Sequence, residues 1–223
     1  NNAGTVITVL RGVDRLGLQV FVVDDGSTDT TASKLAGWLA DREGVAAARV
    51  LTHPRNQGKA AALRTGFEAA QTGGCTHVAT IDTDLQHDPE DLPRLLEVSR
   101  QHPEALVIGA RRPDLEYMPK RSLIGRRLSN RGIRLESGVQ VEDSQSGLRV
   151  YPLALVAAAG CRSEHYVFET EIIVRAGWLG VPVIEVPITS RYLPPGERVS
   201  HFKPWLDSAR CLALHARLLA LTA

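Results

Sequence analysis

The sequence predicts an α/β fold in which a mostly parallel central sheet is flanked by helices. Three observations predict it. Short, nearly all-apolar runs recur along the chain and end in polar or acidic residues, as buried parallel strands do. Between them lie stretches whose apolar residues repeat at helical spacing. The two kinds alternate at short intervals, which is the pattern of a doubly wound sheet. With 223 residues and 43% hydrophobic content, the chain can bury one substantial core, so one domain over 1–223 is expected.

The elements follow in order. Val6, Val9, Leu10, Val13 and Leu16 make about 4–16 an amphipathic helix. Gln19 to Val23 is a strand running into Asp24-Asp25-Gly26, after which Ser27 or Thr28 can cap a helix over about 29–41. Ala47 to Leu51 is a second strand, and Asn56-Gln57-Gly58-Lys59 opens a helix with Ala62, Leu63 and Phe67 on its apolar face. His77 to Ile81 is a third strand, ending at Asp82. Asp88-Pro89-Glu90-Asp91 starts a helix with a cap, a proline in the first turn and acids behind it. Ala105 to Ile108 is a fourth strand. Beyond it, about 119–137 reads as a basic helix, 147–151 as a strand with Pro152 starting a helix, and 168–179 as a helix. Strand segments at 183–186 and 188–192 are expected to be broken by Pro187, and an apolar-faced helix covers 204–220.

Composition excludes some classes. Twenty-six Lys and Arg against 25 Asp and Glu leave +1, which argues against nucleic acid as a partner. Cys75, Cys161 and Cys211 form no C-x-x-C pair, so neither a disulfide framework nor a structural zinc site is expected, and a reducing compartment is the simpler setting. A structural role for Cys161 outweighs a nucleophilic one. No apolar run of about 18 residues is present to span a bilayer. The absence of an initial Met and the apolar helix at the other end suggest a piece of a longer chain.

In doubly wound sheets, ligands bind beyond the carboxyl ends of the strands. Two such ends carry acids here. Asp82 and Asp84, one residue apart after a strand, reach one ligand site, and Gln86 adds a neutral oxygen. Clustered carboxylates call for a cation, and Mg²⁺ or Mn²⁺ held by carboxylates together with substrate phosphates fits. The plainer reading is a solvated loop whose Asp88 caps a helix. Asp24-Asp25-Gly26-Ser27 is either a turn or a carboxylate that accepts hydrogen bonds from a base or ribose. Gly58 and Lys59 at a helix N-terminus favour an anion, or are simply a helix start. No G-x-x-x-x-G-K-[ST] loop is present.

Taken together, VVDDGSTDTT (22–31), NQGKAAALRTGF (56–67), IDTDLQHDPEDL (81–92), DSQSGLRVYP (143–152) and FETEIIVRAGWLGVPVIEVPI (168–188) resemble the family 2 glycosyltransferases of GT-A fold, and most of all the polyprenyl-phosphate (dolichyl-phosphate mannose or glucose synthase) branch. The resemblance implies a nucleotide-binding half over about 1–110 and an acceptor-binding half over about 111–223. It implies that Asp24, Asp25, Gly58, Lys59, Asp82 and Thr83 meet a UDP- or GDP-sugar. Asp82, Asp84 and Gln86 would hold the metal, Arg111 and Arg149 would meet phosphate, and Glu171 would lie near sugar or metal. Ser200, His201 and Lys203, around Phe202, match a mobile segment that closes on the donor. Family members also carry a first strand, which would precede Asn1.

Between Arg111 and Arg134 the basic residues Arg111, Arg112, Lys120, Arg121, Arg126, Arg127, Arg131 and Arg134 face only Asp114 and Glu116, a local balance of +6. Leu123, Ile124, Leu128 and Ile133 are interleaved with them. Such a helix suits an anionic membrane surface or a lipid phosphate, or is a solvated face. Beside a sugar-transfer site, Arg111, Arg126, Arg127 and Arg149 are the expected contacts of an acceptor phosphate. A phosphate monoester is largely dianionic at neutral pH and needs no general base, whereas a hydroxyl acceptor would need one, and Asp143 sits where many relatives place it. The leading expectation is inverting hexose transfer to a polyprenyl phosphate at the cytoplasmic membrane face. Transfer to a hydroxyl and a non-catalytic nucleotide-binding module are the alternatives.

Overall fold

The computed structural model describes residues 1–42, 47–111, 120–190 and 204–222, with side chains undescribed at 120–122, 204–206 and 222. The elements run α1 (Val6–Asp14), β1 (Val20–Asp24), α2 (Thr31–Ala40), β2 (Ala48–Thr52), α3 (Lys59–Thr72), β3 (His77–Thr80), α4 (Leu92–Gln101), β4 (Leu106–Arg111), α5 (Lys120–Ser137), β5 (Arg149–Pro152), α6 (Leu153–Ala159), α7 (Phe168–Trp178), β6 (Val183–Ile188) and α8 (Pro204–Thr222).

The sheet is less uniformly parallel than expected. β1 pairs β2 in parallel, and a second sheet has the order β3-β5-β4-β6. In it β5 runs antiparallel to both β3 and β4, while β4 and β6 are parallel. Inserting β5 between them leaves β3 and β4 pointing the same way. Their carboxyl ends therefore share one edge of the sheet with the segment that leads into β5. Pro187 does not break β6, contrary to expectation. It aligns with Ala110 inside one continuous strand, because β6 is an outer strand and the missing N–H of a proline is tolerated there.

Both faces of the sheet are covered. On β4, Leu106 and Ile108 enter a cluster with Phe67, Tyr151, Phe168, Ile172 and Leu218. Val107 enters the opposite cluster, with Val9, Leu35, Leu95 and Val150. Period-2 alternation within one strand thus serves two cores, and the apolar runs are continuous because neither face is wet. β1 follows suit, with Val20 and Val22 on one side and Phe21 on the other.

Local signals mostly act as read. Asp88 accepts from the Glu90 N–H and Pro89 follows it, but they cap a 3-10 turn, Pro89–Asp91, that feeds α4. Neither Ser27 nor Thr28 caps α2. That helix starts after Thr30, and the N–H of Thr31 is taken by Asp29. The N–H of Ser27 goes to Asp24, and that of Thr28 to Asn1.

Candidate active site

Three loops converge where the carboxyl ends of β1, β3 and β4 meet. The first follows β1. Asp25 does not project freely. Its carboxylate accepts from the Gln57 and Gly58 N–H groups, each at 2.8 Å, and lies 2.7 Å from Nδ1 of His53. Asp24 is buried and accepts from Ser27 at 3.0 Å. The acidic pair therefore builds the loop and clamps it to the start of α3. Gly58 has φ 90°, which only glycine adopts without strain, and a Cβ there would sit 2.3 Å from the His165 ring.

The second loop follows β3. Asp82, Thr83, Asp84 and Gln86 are all half-buried. Asp84 accepts from the Gln86 N–H at 3.0 Å, so the loop folds back on itself. Leu85 has φ 64°, one of two positive-φ residues other than glycine among those described; the second is His165. Both stand at this site, where backbone strain is retained only under strong constraint. Thr83 receives Asn2 on its hydroxyl at 2.6 Å and Thr5 on its carbonyl.

Lys59 joins the first two loops. Its ammonium lies 2.9 Å from Asp82 Oδ2 and 3.0 Å from Glu169 Oε1. Burial alone would lower its pKa, but Asp82 and Glu169 outweigh that and hold it above the ordinary lysine value. Burial would raise Asp82, and Lys59 and His87 reverse the sign, leaving it lowered. Asp84 is raised, by burial first and then by the Asp82 charge. Gly147 packs directly against the Asp82–Lys59 pair. A Cβ there would meet Asp82 Oδ2 at 2.2 Å and Lys59 Nζ at 2.9 Å.

The third group stands at the end of β4. Asp143, fully buried, receives Arg111 through Nε at 2.7 Å and through its second terminal nitrogen at 2.9 Å, and Arg126 lies 3.4 Å away. Burial pushes the Asp143 carboxyl up, but the hydrogen bonds and charges of Arg111 and Arg126 hold it below its usual range. Glu185 fixes this turn by accepting from the Glu142 and Asp143 N–H groups at 2.7 and 2.8 Å.

Several expected residues lie elsewhere. Arg149 is fully buried and donates to the carbonyls of Ser144, Ser146 and Glu169, so it braces the 143–148 segment from inside and is not placed to meet a phosphate. Glu171, expected near sugar or metal, is fully buried and engaged by the protein itself. It accepts from the Arg162 and Ser163 N–H groups and from Arg175 and Arg217, tying α7 to its surroundings. Glu169, two residues earlier and so on another side of the helix, is the acid that reaches the site. The F-E-T-E pattern contained it but did not say which acid points inward. Arg127 is exposed on α5, apart from the buried Arg126. Burial, with Glu171 beside it, pushes the Cys161 thiol up to about 12, which disfavours the thiolate that a nucleophile needs. Arg112, Ser200, His201 and Lys203 lie outside the described residues, as do the side chains of Lys120 and Arg121.

Among the described residues no group of three or more His, Cys, Asp or Glu side chains is arranged to hold a metal ion. The donor set after β3 is smaller: two carboxylates one residue apart and the Gln86 amide. Such an all-oxygen set suits Mg²⁺ or Mn²⁺ held jointly with substrate phosphates. Asp84, crowded by Asp82, is the kind of group such a cation would relieve.

Residues 3–142 match the family described as "Glycosyl transferase family 2". The chain belongs to that family. It is 33% identical over 179 residues to an uncharacterised protein of Methanocaldococcus jannaschii, covering 78% of this chain and 70% of that one. It is 32% identical over 215 residues to an undecaprenyl-phosphate mannosyltransferase of Micrococcus luteus, covering 89% and 86%. It is 37% identical over 145 residues to an undecaprenyl-phosphate 4-deoxy-4-formamido-L-arabinose transferase of Pseudomonas aeruginosa, covering 65% of this chain and 40% of that one. Among solved structures, a glucosyl-3-phosphoglycerate synthase from Mycobacterium tuberculosis, crystallised with Mn²⁺, UDP and phosphoglyceric acid, superposes with a TM-score of 0.61 at 21% identity, over 100% of this chain and 73% of that one. The fold is GT-A.

Proposed function

We propose that this family 2 chain is an inverting transferase that moves a hexose from a UDP- or GDP-sugar to a polyprenyl phosphate. The observation that carries the acceptor assignment is Asp143. Held by Arg111 and Arg126, with its pKa lowered, it is a poor proton acceptor for a hydroxyl. A phosphate acceptor asks for guanidinium groups at the end of β4 and no base. The relatives named for undecaprenyl-phosphate acceptors support the same reading.

In this mechanism Asp82, Asp84 and Gln86 would hold a divalent metal with the donor diphosphate. When bound, the metal would neutralise charge developing on the departing nucleoside diphosphate. Arg111 and Arg126 align an acceptor phosphate oxygen with the anomeric carbon. The oxygen–carbon bond forms as the bond from carbon to the donor β-phosphate oxygen breaks, inverting the anomeric configuration. Asp143 positions the two arginines.

The acceptor also sets where the reaction occurs. Among the described side chains of α5 one stripe is exposed, formed by Ile124, Arg127, Leu128, Arg131, Arg134 and Leu135. α8, packed against α5 through Leu214, Leu218 and the His215–Glu136 pair, exposes Leu212, Leu219 and Leu221. Aliphatic side chains interleaved with arginines suit the interface of an anionic leaflet, and we assign this surface to the cytoplasmic membrane face. No helix among the described residues is long and apolar enough to cross a membrane.

The test is steady-state transfer with a polyprenyl phosphate and with the corresponding free polyprenol. Arg111→Ala and Arg126→Ala should each lower kcat/KM by about 100-fold or more, in line with losing a charge-assisted contact to phosphate. Asp143→Asn should act mainly through a raised KM for the lipid phosphate, and the free alcohol should not react. Transfer to the alcohol, with Asp143→Asn abolishing kcat, would sink the phosphate-acceptor reading.

A further inference from the structure

At a helix N-terminus Lys59 is expected to offer its charge to an anionic ligand, yet in the fold it faces two carboxylates of the protein itself. Asp82 and Glu169 sit 2.9 and 3.0 Å from its nitrogen. The Glu169 side chain is 6% exposed and that of Lys59 is 18% exposed, so little water shares their contact, whereas Asp82, with its side chain 36% exposed, stays open to solvent. Gly147 admits no side chain between its own backbone and the Lys59–Asp82 pair. Phe168, next to Glu169, is locked in the core against Phe67 of α3, which fixes α7 and α3 as a frame around the pair.

We propose that Lys59, anchored by Glu169, is the resident counter-cation of Asp82, holding that carboxylate in place and setting how strongly a divalent metal is drawn to the loop. Glu169 is a positioning residue in this arrangement. The inference rests on the metal-dependent reading above and deepens it. Two carboxylates (Asp82 and Glu169) touch the ammonium and Asp84 lies within range of its charge, a balance of −2 among these four side chains that a divalent cation offsets, while the more distant Arg111 is neutralised by Asp143. Removing the ammonium leaves −3 among these side chains and takes away the cation in contact with Asp82, so the metal is bound more tightly. Neutralising Glu169 leaves −1 and gives Lys59 wholly to Asp82, so the metal is bound less tightly. The two changes act in opposite directions, which loss of packing alone does not produce.

The experiment adds Mn²⁺, with no donor, to the whole chain and follows free Mn²⁺ by its electron paramagnetic resonance signal, with Mg²⁺ as competitor. Lys59→Met is expected to tighten Mn²⁺ binding about tenfold or more and Glu169→Gln to weaken it by at least about threefold, the scale of one charge a few ångströms away even under water-like screening. Far-ultraviolet circular dichroism should match the parent in both. Variants that shift the affinity in the same direction, or leave it unchanged, overturn the proposal. Should Lys59→Met not fold, Glu169→Gln decides alone, and unchanged or tighter binding overturns it. If the parent chain takes up no Mn²⁺, this inference and the metal part of the proposed function fall together. If the parent binds and the variants do not differ from it, only the inference falls.

Discussion

His87 shows how far a single side chain at this site departs from its ordinary chemistry. It is 3% exposed, its Nε2 lies 3.3 Å from the Ser146 hydroxyl, and its Nδ1 has no hydrogen-bond partner among the described residues. Burial pushes its pKa down to about 4. An unfolded histidine titrates near 6.5, so between about pH 6.5 and 4 the unfolded chain takes up a proton that the folded chain refuses. Stability should therefore rise with pH across that window, by up to about 3 kcal/mol for a shift of this size. Urea unfolding at pH 7, 5.5 and 4.5 should show the slope, and His87→Gln should flatten it. An equal slope in both proteins would show that His87 is not its source. Other single residues were only half legible. D-x-D, S-G-L-R and F-E-T-E mark where chemistry gathers, but a motif does not say that Arg149 points into backbone carbonyls or that Glu169 rather than Glu171 reaches Lys59.

At the scale of elements, α5 carries the clearest division of labour. Its inner side places Arg126, Ser129, Ile133 and Glu136 in the protein, and its outer stripe alternates aliphatic and arginine side chains. The basic amphipathic character was readable from spacing, because both sides obey the same 3.6-residue period. Which arginines face inward was not, since that depends on how α5 rolls against α7 and α8. If the outer stripe meets an anionic leaflet, Arg127→Glu combined with Arg131→Glu and Arg134→Glu should lower co-sedimentation with phosphatidylglycerol-containing vesicles by at least about tenfold, given about 1 kcal/mol per basic residue near the surface. Binding to neutral vesicles should change little and the helix content should stay the same. Undiminished binding to the anionic vesicles would remove α5 from the interface. β6 makes the opposite point about breakers: Pro187 reads as an interruption, and an outer parallel strand absorbs it.

At the scale of the molecule, the two hydrophobic clusters clamp the sheet from both sides and thereby hold the site. Phe67 of α3, Tyr151 of β5 and Phe168 of α7 meet within one of them, with ring centroids 5.1 and 6.1 Å from Phe67. α3 begins with Lys59, and Phe168 precedes Glu169, so this aromatic group also sets the distance between the two site residues. Phe67→Ala should cost about 3–5 kcal/mol in chemical denaturation, as large-to-small changes in a packed core do. A loss below about 1 kcal/mol would mean that the cluster does not carry the frame. The α/β alternation, the acid-bearing strand ends and the family motifs are legible in the amino-acid order, because periodicity and short patterns are properties of neighbouring residues. Folding is what makes Asp25 clamp a loop, puts Asp143 in the grip of Arg111 and Arg126, and stands Lys59 between Asp82 and Glu169. Each of those contacts joins residues far apart in the chain, and its energy depends on burial and on charges that only packing brings together.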